Sequence, residues 1–149
     1  MPISDVIFQH RWLIREQAAG NLDYVIAWQS KHPVGRGLIL WYGYVIPALM
    51  KAFPQTPVIR SVEVLPLFRG AGIGTAIVRE LERRAVARGY TQVSLGVMPE
   101  NVGARNLWHR LGYKEWSGGV FNAVSTYEGP GGEVITRKEK FVPMHRRLQ

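Results

Sequence analysis

Three glycines alternate at Gly70, Gly72 and Gly74 in the stretch PLFRGAGIGT (66–75), and an apolar-periodic segment begins directly behind them. A glycine backbone can approach a ligand closely, and a helix that opens there aims free N–H groups at an anion. The chemistry on offer is therefore phosphate binding, and three kinds of loop use it. A Walker-type loop needs G-x-x-x-x-G-K-[ST], whose lysine neutralises the phosphates. Here Thr75 and Ala76 follow Gly74, with no lysine. A dinucleotide loop needs G-x-G-x-x-G. Counted from Gly70 its last position is Thr75, and from Gly72 it is Ile77. The next strand segment, YTQVSLGV, also supplies no acidic residue for a ribose. What remains is R-x-x-G-x-G, spelled by Arg69, Gly70, Ala71, Gly72, Ile73 and Gly74. In that pattern successive N–H groups from Gly70 to Thr75, with a helix N-terminus, can hold an anion without a lysine. The alternative is that the glycines only tighten a strand–helix turn.

Such a loop needs a strand that stops on time and a helix that starts at once. VIRSVEVLP (58–66) has strand composition, and Pro66, lacking an N–H, ends its ladder. TAIVRELERRAVARG predicts the clearest helix, with Ile73, Ile77, Leu81 and Ala85 stepping by four, a Glu80–Arg84 pair, and Gly89 as its cap. Upstream, FQHRWLIREQAA (8–19) suits a helix stopped by Gly20. DYVIAWQ and GLILWYG suit two strands of a hairpin turned at KHPVG, and ALMKAF one helical turn among prolines. Downstream, TQVSLGV alternates Val93, Leu95 and Val97 as a strand, and ENVGARNLWHRLG predicts a helix with Ala104, Leu107 and Leu111 inward. The tail adds a strand near YKEW, a turn at EGPGGE flanked by FNAVSTY and VITRKEKF, and a final strand around KFVPMHR. Strand and helix alternating after a hairpin predict a mixed α/β layer.

At 149 residues the chain has the size of one domain, expected over 1–149. The absence of cysteine removes disulfides, thiolate metal sites and a covalent cysteine intermediate, and fits a reducing cytoplasm. His10, His32, His109 and His145 lack the i, i+4 spacing of a helical zinc pair, so no metal is expected. No signal peptide is expected at MPISDVIFQHRW. The uncharged run 37–50, broken by Gly43 and Pro47, falls short of the ~18 residues of a membrane span. A net charge of +8 and a pI near 10.2 suit a polyanionic ligand. A nucleic-acid module would also be basic, but no recognition helix or stacking pattern accompanies the charge.

Two motifs together resemble the GCN5-related N-acetyltransferase (GNAT) superfamily. One is the loop Arg69–Gly74 between Val64-Leu65-Pro66 and a long helix. The other is ENVGARNLWHRLGY, which is similar to the family's N-x-x-A-x-x-L-Y-x-x-x-G-[FY] segment at Asn101, Ala104, Leu107, Gly112 and Tyr113. The resemblance covers residues 22–116. It implies a mixed, mostly antiparallel central sheet flanked by helices, and acetyl-coenzyme A (acetyl-CoA) as co-substrate. Its pyrophosphate would lie on Arg69, Gly70, Ala71, Gly72, Ile73, Gly74 and Thr75. Its amide-bearing arm would pair with the strand edge at Val62, Val64 and Leu65. Asn101 would meet the arm from the other side, Arg105 would reach a phosphate, and Trp108 would lie beside the cofactor.

The implied activity is direct transfer of acetyl to a primary amine of a small molecule or protein. An amine of pKa ~10.4 must first lose a proton. Glu63 is the candidate base, against a bland reading as a strand carboxylate paired with Arg60. The N–H of Val64 or Leu65 would meet the oxyanion. Where the family carries a tyrosine that protonates the departing sulfur, this chain has Trp108, whose indole N–H donates a hydrogen bond but not a proton. Tyr127 is the candidate substitute, and an unassisted thiolate the alternative. Acidic groups for a cationic acceptor would come from Glu63, Glu128 and Glu133. Relatives usually begin with a strand and a helix before the hairpin, and here about one helix precedes Asp23. The expectation is either a trimmed protein or a second subunit that completes the layer, as in a homodimer. Two alternatives stay open: a non-catalytic acyl-CoA sensor, and an acetyltransferase acting on aminoacyl-tRNA.

Overall fold

The computed structural model describes residues 3–148, with side chains for 11–124, 126 and 128–148. Two compact units divide the chain. The first runs to Ser94 and takes in Arg147 and Leu148, and the second is Leu95–Arg146.

The first unit holds helix α1 (Ile3–Ala18), strands β1 (Leu22–Gln29) and β2 (His32–Leu40), helix α2 (Pro47–Ala52), strand β3 (Val58–Val64), helix α3 (Ile73–Ala87) and the start of β4 (Gln92–Val97). β1 and β2 are antiparallel from Leu22↔Leu40 to Gln29↔His32. β2 and β3 are antiparallel from Leu40↔Val58 to Gly35↔Val64. β3 meets β4 in parallel at Val58↔Ser94, where the Ser94 N–H also donates to the Pro57 carbonyl at 3.0 Å. The sheet is thus mixed and mostly antiparallel, with helices against it.

Side-chain alternation gives β2 two faces. A Cβ added to Gly37 would stand 2.6 Å from Ile77 Cγ2, and one added to Gly35 3.0 Å from Ile77 Cδ1. These glycines let α3 lie directly on the strand, and Ile77, Leu81 and Ala85 are buried there. The opposite face carries Leu38 and Leu40, which join Leu22 and Leu13 of α1 in a second apolar cluster with Tyr24 packed on it.

α1 and α3 both end as the sequence predicts. Gly20 and Gly89 take φ of +82° and +87°, and the N–H groups of Asn21 and Tyr90 reach back to Glu16 and Ala85 at 3.0 Å each. The β1–β2 turn differs from expectation. It is the two residues Ser30 and Lys31, at φ +48° and +68°, and the predicted turn residues from His32 onward are already strand. Two positive φ values match the twist of a two-residue hairpin, a geometry usually signalled by Asn-Gly.

The second unit holds the end of β4, helix α4 (Val102–Arg110) and strands β5 (Lys114–Glu115), β6 (Phe121–Glu128) and β7 (Val134–Arg147). β7 pairs antiparallel with β5 at Lys114↔His145 and with β6 from Phe121↔Phe141 to Glu128↔Val134. The predicted hairpin strand VITRKEKF and the final strand KFVPMHR are therefore one continuous strand. Pro143 is tolerated within it, and its carbonyl accepts the Trp116 N–H at 2.8 Å. The inward face of α4 is also corrected. Leu107 is exposed, whereas Trp108 is half-buried and meets the buried Tyr113 edge-on at 5.3 Å.

Candidate functional site

β3 delivers the chain into the loop, and it does so through a bulge. Gly35↔Val64 and Arg36↔Glu63 pair, but the register then shifts, so that Leu38 pairs with Arg60. Ser61 lies in the shifted segment at φ +55°. A non-glycine residue there costs about 1–3 kcal/mol, a strain that folded proteins concentrate at functional positions.

Beyond the bulge, the Leu65 N–H donates to the Val34 carbonyl at 2.9 Å. Bonded and non-bonded pairs alternate along an antiparallel ladder, so the neighbouring pair Gly35↔Val64 is non-bonded and Val64 turns its N–H and carbonyl away from β2. Of the two N–H groups expected to meet an oxyanion, Leu65's is committed within the sheet and Val64's lies on the outward edge. The Val64 carbonyl on that edge accepts from Arg69 Nε at 3.0 Å, which ties the start of the loop to the strand end.

The chain then passes through a 3₁₀ turn, Pro66–Phe68, into the glycines. Gly70 and Gly72 stand at φ +81° and +82°, and a Cβ on either would meet no described residue within 4 Å. Their conformation, not crowding, is what demands glycine. Gly72 is the residue before α3, no side chain among the described residues caps that helix, and its first turn carries no acid. Its opening N–H groups have no intrahelical partner, and the first backbone bond from this turn is Ala76 N–H to the Gly72 carbonyl, 3.0 Å. Ala71 is exposed, and Ile73, Gly74 and Thr75 are half-buried. Arg69 is exposed and has no carboxylate partner among the described residues. Bare N–H groups, a helix dipole and one guanidinium make this corner attractive to an anion.

Glu63 is exposed and pairs with Arg36, Nε to Oε2 at 3.1 Å, rather than with Arg60 as the bland sequence reading had it. Burial pulls the Arg36 guanidinium down, but hydrogen bonds to Tyr24 and Glu63 outweigh it and hold its pKa above the usual value. Val62 and Val64 are half-buried and Leu65 is exposed.

The remaining expected site residues lie in the second unit. Asn101 caps α4, its Oδ1 accepting from the Ala104 N–H at 3.1 Å. Arg105 donates to Glu115 Oε1 from Nε at 2.9 Å and Nη2 at 2.5 Å, and to the Pro99 carbonyl from Nη1 at 3.1 Å. These contacts hold the Glu115 carboxyl below its usual range. Tyr127 pairs with Ile135 in the β6–β7 ladder, and its side chain lies outside the described residues.

Sequence reasoning missed Arg36 and the Ser61 bulge. Arg36 stands between Gly35 and Gly37, so its strand neighbours both face α3 and it must face the other way. That pattern is a usable signal, but only register identifies Glu63 as its partner. Nothing in the type of Ser61 marks a left-handed residue.

Residues 2–113 match the Acetyltransferase (GNAT) family. A segment of 57 residues is 44% identical to an uncharacterised N-acetyltransferase of Methanocaldococcus jannaschii, covering 38% of this chain and 25% of that protein. The match thus spans a quarter of that relative's length. The fold is similar to a ribosomal-protein-alanine N-acetyltransferase from Brucella melitensis, with TM-score 0.67 and 22% identity over 94% of this chain and 76% of the other. It is also similar to a GNAT family acetyltransferase from Elizabethkingia anophelis with acetyl-CoA bound, with TM-score 0.63 and 14% identity over 91% and 82%. With the family match reaching from residue 2 to Tyr113, across the strained strand, the glycine loop and α4, this chain belongs to the GNAT acetyltransferase family.

Proposed function

We propose that this chain transfers the acetyl group of acetyl-CoA directly to a primary amine. The observation that carries the reading is the uncapped, acid-free N-terminus of α3 behind two left-handed glycines. The N–H groups from Gly70 to Thr75 suit a pyrophosphate, and the exposed Arg69, held at Nε by the Val64 carbonyl, adds a cation beside them. The outward edge of β3 leading up to Val64 suits an amide-bearing arm added as a further strand.

In the reaction, the amine nitrogen attacks the thioester carbonyl carbon. A C–N bond forms, the C–S bond breaks, and coenzyme A leaves as a thiolate. The Val64 N–H is the donor we assign to the oxyanion that develops on the way. Glu63, directly or through water, takes the proton that the amine must lose. Arg36 fixes the carboxylate through one oxygen, Oε2, and leaves Oε1 for that task. A leaving thiolate of pKa ~8.5 is stable enough to depart without an acid, which fits an indole at Trp108.

The test is release of coenzyme A thiol with and without amines at saturating acetyl-CoA. Amine-dependent release, matched by acetylated amine in the mass spectrum, is the expected result. Tight acetyl-CoA binding with no release across a broad amine panel would instead make the protein a sensor.

A further inference from the structure

On the face of β2 and β3 turned away from α3 lies a hollow of 240 Å³. That is below the ~300–1,000 Å³ of sites for drug-sized ligands, so its occupant is small. Leu13, Leu38 and Leu40 form an apolar floor, all nearly inaccessible to water. Trp12 and Tyr42 form aromatic walls and remain 42% and 50% exposed. The polar lining is cationic: Arg36 and Arg60, with the strained Ser61 beside them. Among the described residues, no carboxylate lines it.

The two arginines differ in their commitments. Arg36 already holds Glu63 at 3.1 Å and a hydrogen bond with Tyr24. Arg60 has no ion pair with any described residue. An unpaired guanidinium at the rim of an apolar floor presents a planar fork that matches a carboxylate with two parallel hydrogen bonds. The same charge repels a second ammonium group. Through Arg36, the hollow also adjoins the carboxylate assigned to deprotonate the acceptor. Such a lining favours an anionic group over the cationic acceptor that Glu63, Glu128 and Glu133 would draw.

We propose that this hollow is the acceptor subsite and that the acceptor is a small amine bearing both a carboxylate and an apolar or aromatic body. Arg60 holds the carboxylate, the leucine floor and the Trp12 and Tyr42 walls take the body, and the amine faces Glu63. Arg60 is then the residue that sets specificity. The proposal rests on the acetyl-transfer reading of the loop.

The test uses three compounds that differ at one group: L-phenylalanine, L-phenylalaninamide and 2-phenylethylamine. Thiol release is measured at saturating acetyl-CoA for the native chain, Arg60→Ala and Arg60→Glu, with acetyl-CoA affinity measured separately by calorimetry. The native chain should use the acid with a kcat/KM at least tenfold above the other two. Arg60→Ala should raise KM for the acid tenfold or more, with kcat and acetyl-CoA affinity moving little, and Arg60→Glu should reverse the order of preference. With acetyl-CoA binding intact, two outcomes overturn the acceptor assignment alone: equal use of the amide or amine, or a KM for the acid unmoved by either substitution. Turnover of none of the three overturns it too, alone if other amines release thiol and together with the transfer reading if none does. Failure of the native chain to bind acetyl-CoA overturns it together with the reading beneath it.

Discussion

Arg36 and Glu63 face each other across the β2–β3 ladder and close an ion pair, Nε to Oε2, at 3.1 Å. The pair sits just before the register shift, so the carboxylate assigned as base is held beside the strained turn of β3. Glu63→Gln keeps the shape and removes the base. Turnover should fall about 100-fold or more, the usual scale of general-base catalysis, with acetyl-CoA affinity unchanged. Steady-state kinetics beside calorimetry check both halves, and unchanged turnover would remove Glu63 from the mechanism.

Gly72→Ala separates an anion cradle from a tight turn. The added methyl meets nothing within 4 Å, so the fold feels only the φ of +82°. That should cost about 1–2 kcal/mol of stability. If the loop holds a pyrophosphate, acetyl-CoA affinity should also drop tenfold or more. A stability loss with unaltered affinity would reduce the glycines to a turn.

Gly37→Ala probes the seat of α3. Its Cβ would stand 2.6 Å from Ile77 Cγ2 and 3.3 Å from Leu81 Cδ1, both on buried side chains. Overpacking of this kind costs about 1–3 kcal/mol. The urea midpoint should fall with the slope unchanged. An unmoved midpoint would mean that α3 does not rest on β2 as described.

Glu80 predicts a feature of acid stability. Hydrogen bonds from Arg83 and Arg84 hold its carboxyl down to about 2, from an ordinary 4.5. Because the folded value is the lower one, its contribution is complete above pH 4.5 and disappears as pH falls through 2. Helical pairs open to solvent add little, because water and salt screen them. Urea midpoints of Glu80→Gln should therefore decline slightly less between pH 4.5 and 2 than those of the native chain. Parallel declines would show that these ion pairs add nothing.

The legible parts of the molecule were those set by local pattern. The four-residue step from Ile73 to Ala85 gave α3 and its buried face, and Gly20 and Gly89 gave two helix ends, because each signal lies within one element. The loop was readable because left-handed positions at its heart are glycines. The Ser30–Lys31 turn and the Ser61 bulge were not readable, since ordinary residues occupy positive φ there. Partner choice was the other blind spot. Glu63 meeting Arg36, and Arg105 meeting Glu115, depend on register and on packing between segments, which no single stretch encodes. The hollow proposed for the acceptor was invisible for the same reason, since α1, β2 and β3 each supply part of it.

Calorimetric titration of the chain with acetyl-CoA, with NADH and ATP as controls, tests the central claim most directly. Micromolar binding by acetyl-CoA alone is the result predicted by an uncapped α3 behind Gly70 and Gly72. No binding, or equal binding of all three, would contradict the assignment of this loop to acetyl-CoA.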